Sequence, residues 1–241
     1  MHCYVLKRSG NELHTAGFIC GSKFTGCEKG MVMKMKEILC FGDSNTYGLI
    51  PGTKDRYDWK TRWTGIVGEK MKEKGYVLSE EGLCGRTTIF DDPLRVGRRG
   101  TELLPVLLET HKPDIVVIML GTNDCKIHYD ASPELIGLGA KKLVEQVQSN
   151  SADAKIVLVS PIALGDGVGE EGYDPEFDES SVERSKKLPK VFANVAREKQ
   201  IAFLAASDFA LPSKADREHM DEIGHAQFAE AVIEKLSQLI V

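Results

Sequence analysis

Nothing in this chain of 241 residues reads as a membrane anchor, a nucleic-acid interface or a disulfide framework. The longest apolar run, Ile115 to Leu120, falls far short of the roughly 20 residues a spanning helix needs, so a soluble protein with no membrane partner is expected. No block of like charges occurs, no lysine- or arginine-rich tract is interleaved with aromatics, and the net charge is a mild -5; nucleic acid is excluded as a partner on those grounds. The cysteines, at 3, 20, 27, 40, 84 and 125, include no C-x-x-C pair. Incidental thiols in a reducing, cytoplasmic setting are the expectation.

What is present is an ordinary globular composition, 42% hydrophobic and 28% charged, which in one chain of this length supports one large domain with a full core. Residues 1–34 stand apart from it. Their apolar residues follow neither a period of 2 nor one of 3.6, and they lack the apolar core of a signal peptide. They read as an irregular N-terminal extension, with Met31, Met33 and Met35 as alternative starts, and the domain proper as residues 35–241. A metal site built from His2, Cys3, His14, Cys20 and Cys27 would need a regular ligand spacing that this segment does not have.

From residue 37 onward, apolar segments rich in β-branched residues alternate with helical patterns. The strands read as 37–41, 76–80, 114–120, 155–160 and 201–205, and the helices as 61–74, 101–111, 132–149, 180–199 and 221–240. Ser132-Pro133 supplies a capping hydroxyl and a proline at the first helical position. Phe228, Val232, Leu236 and Leu239 share one face of the last helix. Near-continuous apolar strands alternating with helices predict an α/β fold, a three-layer doubly wound parallel sheet of five strands. The irregular stretch 161–177 reads equally well as an active-site rim and as a solvated loop.

In such sheets ligands bind beyond the carboxyl ends of the strands, and the unusual polar motifs all fall there. Ser44 follows the first strand, Gly82-Leu83-Cys84-Gly85-Arg86-Thr87 the second, and Gly121-Thr122-Asn123-Asp124 the third; Asp216 and His219 come after the fifth. A serine hydroxyl needs a base to take its proton and a carboxylate to fix the base's tautomer, and Asp216 and His219 are spaced to share one turn. The N–H groups of Ser44 and Gly85 and the amide of Asn123 are candidate donors to an oxyanion. Asp43 reads as a brace for the loop or as a second acid. His225 reads as a packing histidine, and a metal site on Asp216, His219 and His225 is the competing reading. Arg86 and Trp63 read equally as pocket lining or as a salt-bridged arginine and a core tryptophan.

At these residues the chain resembles the SGNH hydrolases, also called GDSL esterases and lipases. The blocks Gly42-Asp43-Ser44, Gly85, Gly121-Thr122-Asn123-Asp124 and Asp216-Arg217-Glu218-His219 occur in the family's order, followed by Gly224-His225. Arg62-Trp63-Thr64-Gly65, Arg86-Thr87-Thr88 and Asp91-Asp92-Pro93 are similar to the bacterial arylesterase/acyltransferase branch. The resemblance implies a flavodoxin-like sheet and a triad of Ser44, His219 and Asp216. It also implies an oxyanion hole of Ser44, Gly85 and Asn123, and hydrolysis of short-chain esters without a cofactor. Acyl transfer to alcohols and homo-oligomers joined through apolar loops also belong to that branch. Tyr47, Trp63 and Arg86 are the candidate substrate-binding residues. Carbohydrate O-deacetylase, thioesterase or lysophospholipase, and a catalytically dead binding domain are the alternatives.

Overall fold

The computed structural model describes residues 35–240; the N-terminal extension and the metal reading placed on it lie outside the described residues. Five parallel strands, β1 (Lys36–Gly42), β2 (Tyr76–Gly82), β3 (Ile115–Met119), β4 (Lys155–Ser160) and β5 (Ala202–Ala205), form one sheet in the order β2-β1-β3-β4-β5. This is the flavodoxin-like arrangement.

Alternation along the strands sends side chains to both faces, and both are covered, which is why the strands read as continuous apolar runs. On one face Leu39, Phe41, Val116, Ile118 and Leu158 pack with Leu104, Leu108, Leu143, Leu188 and Phe192. These partners come from α3 (Gly100–His111), α4 (Pro133–Asn150) and α6 (Leu188–Lys199). On the other face Ile38, Cys40, Val117, Met119 and Val159 meet Trp63, Val67 and Met71 of α2 (Trp63–Lys72) and Phe228, Val232 and Leu236 of α7 (Glu222–Leu239). The stripe expected on the last helix is therefore buried on the sheet, with Leu239 at its partly exposed end.

The single helix expected over 180–199 is two, α5 (Glu179–Ser185) and α6. Pro189 is the cause. It has no N–H to give the carbonyl one turn back and its ring crowds that carbonyl, so it is accommodated in the first turn of a new helix instead. Pro105 inside α3 shows the opposite solution: the carbonyl of Thr101 that it cannot serve accepts from Gln146 Nε2 of α4 at 2.7 Å. No helix among the described residues is long and apolar enough to cross a membrane.

Candidate active site

The site is assembled where β1, β2 and β3 end level with one another, Gly42 pairing with both Gly82 and Met119. From Gly42 the chain turns at once into α1 (Ser44–Tyr47), a single helical turn. It lies so close to the sheet that a β-carbon on Gly42 would stand 2.0 Å from Thr46 Oγ1, and one on Gly82 2.2 Å from the backbone nitrogen of Tyr47. Asp43 caps this turn, its Oδ1 accepting from the N–H of Asn45 at 3.0 Å. The brace reading of Asp43 is the one its geometry matches. Burial, opposed by that hydrogen bond and by the charges of His219 and Arg86, raises its pKa to about 6.

Asp216 builds the second half. Its Oδ1 accepts from the N–H groups of both Glu218 and His219 at 3.0 Å, which folds the turn. Its Oδ2 takes the N–H of Gly52 at 2.9 Å and lies 2.7 Å from His219 Nδ1. Burial resists ionisation of this carboxyl, but the hydrogen bond and charge of His219 outweigh it and hold the pKa below the usual value. With the Nδ1 hydrogen on Asp216, the lone pair of the imidazole is on Nε2, which faces Ser44 Oγ at 2.8 Å.

How the turn is brought over Ser44 depends on a residue the sequence reading did not single out. Asn45, buried inside α1, accepts from the N–H of Met220 through Oδ1 at 2.9 Å and donates through Nδ2 to the carbonyl of Glu218 at 3.4 Å. One side chain thus pins the residues on both sides of His219 to the helix that carries Ser44. Only its position beside the serine hinted at this, because the partners are more than 170 residues away.

The donors expected around an oxyanion stand on the neighbouring loops. Gly85 has φ +83°, a conformation that a residue without Cβ adopts freely. No acceptor among the described residues takes its N–H or that of Ser44. Asn123 is buried, and one hydrogen of its amide is held by the carbonyl of Arg86 at 3.1 Å. The second is left for a ligand.

Two of the three candidate substrate-binding residues lie behind the site. Trp63 is fully buried between α2 and α7, edge-on to Phe228, and its Nε1 donates to the carbonyl of Asn45 at 3.0 Å. Arg86 is buried with its guanidinium over Phe41, donating to the carbonyls of Gly42 and Glu81. Among the described residues it is bonded to carbonyls and paired with no carboxylate. Both buttress the nucleophile turn and offer a ligand no surface. Tyr47 is half-buried and stacks under the Arg56 guanidinium at 4.2 Å. His225 is buried, accepts from the N–H of Trp63 at 3.4 Å and meets Tyr57 edge-on; burial lowers its pKa to about 4.

The stretch 161–177 is a fastened rim. Gly165 N–H donates to the carbonyl of Arg217 at 2.7 Å, Arg217 pairs with Glu170 at 2.7 Å, and Phe177, Ile162, Leu164 and Val168 are buried. Glu176 carries it onto the loops of the site through Lys126 and Arg95, each at 2.7 Å.

Glu218 brings one more carboxylate, with Oε1 3.7 Å from His219 Nε2. Burial raises its pKa to about 7 against the attraction of His219 and Lys126. Burial likewise disfavours the charged form of His219, but Glu218, Asp216 and Asp43 outweigh it and push that pKa up to about 9.

Comparisons with known proteins bear on the family and the fold. The model of the GDSL-like Lipase/Acylhydrolase family matches residues 40–227. The native aryl esterase of M. smegmatis is 30% identical, with a TM-score of 0.79 over 85% of this chain and 99% of that one. Est24, a carbohydrate acetylesterase from Sinorhizobium meliloti, is 32% identical, with a TM-score of 0.78 over 85% and 99%. The lipase/acylhydrolase of Enterococcus faecalis shares the fold alone, at 19% identity and a TM-score of 0.64 over 85% and 97%. A search of curated proteins gives no match.

Proposed function

We propose that this chain, which belongs to the GDSL-like lipase/acylhydrolase family, hydrolyses short-chain carboxylic esters through an acyl-Ser44 intermediate. The observation that carries the serine route is the unbroken line from Ser44 Oγ to His219 Nε2 at 2.8 Å and from His219 Nδ1 to Asp216 Oδ2 at 2.7 Å. Ser44 Oγ attacks the ester carbon as its proton passes to Nε2, and Asp216 stabilises the imidazolium that results. The negative charge on the carbonyl oxygen is met by the N–H groups of Ser44 and Gly85 and the free amide hydrogen of Asn123. His219 then hands its proton to the departing alcohol. Water repeats the sequence on the acyl-serine and releases the acid.

A short acyl group fits the surroundings. The rim is tied down by ion pairs in which Arg95, Glu176, Arg217 and Glu170 keep exposed charge, so a long tail laid along it would lie against ions rather than an apolar wall. Each methylene left in water forgoes about 0.8 kcal/mol. Esters of aryl or alkyl alcohols are the first substrate class. Acetylated carbohydrates are the second, supported by the 32% identity to a carbohydrate acetylesterase. An alcohol in place of water would give acyl transfer from the same intermediate.

Turnover of 4-nitrophenyl acetate, 4-nitrophenyl octanoate and an acetylated sugar by the wild type and Ser44→Ala tests this reading. Faster cleavage of acetate than octanoate is expected, with kcat lowered about 10⁴-fold in a folded Ser44→Ala protein. Near wild-type turnover by that variant would overturn the serine route, and faster cleavage of octanoate would overturn the short-acyl preference.

A further inference from the structure

The turn that presents His219 also presents Glu218, a carboxylate with no part in the reaction just described. Its side chain is 9% exposed, and its backbone is held from both directions, the N–H on Asp216 Oδ1 at 3.0 Å and the carbonyl on Asn45 Nδ2 at 3.4 Å. Its Oε1 stands 3.7 Å from His219 Nε2, the nitrogen that faces Ser44 Oγ at 2.8 Å. That separation is beyond a hydrogen bond, and no donor among the described residues bonds either carboxylate oxygen. Neither oxygen is sealed from solvent, so Oε1, beside Nε2, is open to a donor from whatever enters the site.

We infer that Glu218 positions the water that deacylates Ser44 and so directs the acyl-enzyme toward hydrolysis rather than transfer. The inference rests on the acyl-Ser44 reading. A water held against Nε2 gives one hydrogen to the imidazole and has a second for Glu218. A simple alcohol has only one, and Nε2 takes it. In the step itself the water oxygen bonds to the acyl carbon and its first hydrogen passes to Nε2. The bond from the acyl carbon to Ser44 Oγ breaks, and the proton on Nε2 returns to Oγ; the second hydrogen stays on the product acid. Among alcohols, one with a neighbouring hydroxyl can imitate water by giving that O–H to Glu218. Asp174 and Lys126 also act on Glu218, with opposite charges.

The partition of the acyl-enzyme reads this out, because the ratio of transfer to hydrolysis is set after Ser44 is acylated and does not depend on how fast acylation is. The protein is given 4-nitrophenyl acetate with 1-propanol or propane-1,2-diol, and acetate and acetyl ester are quantified. In the wild type the diol should be the better acceptor. Glu218→Leu should raise the transfer ratio for 1-propanol about tenfold and erase the advantage of the diol. Glu218→Gln, which loses the charge but keeps a carbonyl acceptor, should stay near the wild type. Should Glu218→Leu not fold, Glu218→Val makes the same substitution of apolar for acceptor. Equal partition in wild type and the apolar variant overturns the inference. Absence of propyl acetate from every variant overturns it alone if Ser44 is found acetylated on quenching, and overturns the acyl-serine reading as well if Ser44 is not.

Discussion

Of the donors gathered near Ser44, Asn123 is the one that a substitution can remove without altering the backbone. Asn123→Ala should lower kcat roughly 10²–10³-fold with little change in KM, because the amide would act on the charge of the transition state; steady-state kinetics separates this from a rise in KM at constant kcat. The proton balance of His219 is equally open to test. The base must be neutral to act, so carboxylates that raise its pKa to about 9 move the rise of activity to alkaline pH. An activity profile already flat from pH 7 upward would contradict this; Glu218→Gln should shift the rise toward lower pH. Ser44, Asp216 and His219 were legible in sequence because the carboxylate and base share a turn and the serine follows a strand end. Glu218 was not read, though it sits between them, because nothing local says which side of the imidazole its carboxylate reaches. Trp63 and Arg86 stood near the motifs in sequence, but their side chains point into the core, and only packing decides that.

Elements meet at this site through α1, whose one turn is bonded to the Asp216–His219 turn by Asn45. Asn45→Ala would leave the buried N–H of Met220 without an acceptor, a loss of about 1–3 kcal/mol. The expected outcome is a lower Tm together with a lower kcat, since Ser44 and His219 would no longer be held in register; a Tm and kcat both at wild-type values would show the pin to be dispensable. The strands and most helices were legible because a parallel sheet covered on both faces leaves continuous apolar runs. The break between α5 and α6 was missed although Pro189 marks it, the amphipathic pattern on either side having masked one proline. For 161–177 the sequence could not choose between rim and solvated loop. Its anchors, Lys126, Arg95 and Arg217, belong to other parts of the chain.

At the scale of the whole molecule, stability and activity should favour opposite ends of the pH range. Asp43, Asp124 and Glu218 have pKa values raised by burial from 3.8, 3.8 and 4.5 to about 6, 7 and 7, so folding binds protons and stability is lost as pH rises between roughly 4 and 7. The stability that His219 adds is complete below 6.5 and is lost as pH rises through about 9. Asp216 and Glu176, whose pKa values are lowered, lose their contribution only below the usual carboxylate range. His225, lowered from 6.5 to about 4, works the other way and gains stability as pH rises between those values, but the three raised carboxyls outweigh one imidazole, so Tm should be highest near pH 4 and decline toward pH 9, where hydrolysis is faster; a Tm that climbs from pH 5 to 9 would contradict this. We further expect a chain beginning at Met35 to fold and hydrolyse esters, because β1 starts at Lys36, and circular dichroism with an esterase assay would show it. The central claim is the covalent intermediate, and it is met most directly by mixing the protein with 4-nitrophenyl acetate, quenching in acid during turnover and mapping the modified peptide by mass spectrometry. One acetyl group on Ser44, absent from Ser44→Ala, is the expected result; steady turnover with Ser44 never acetylated, or with the acetyl group on another residue, would contradict it.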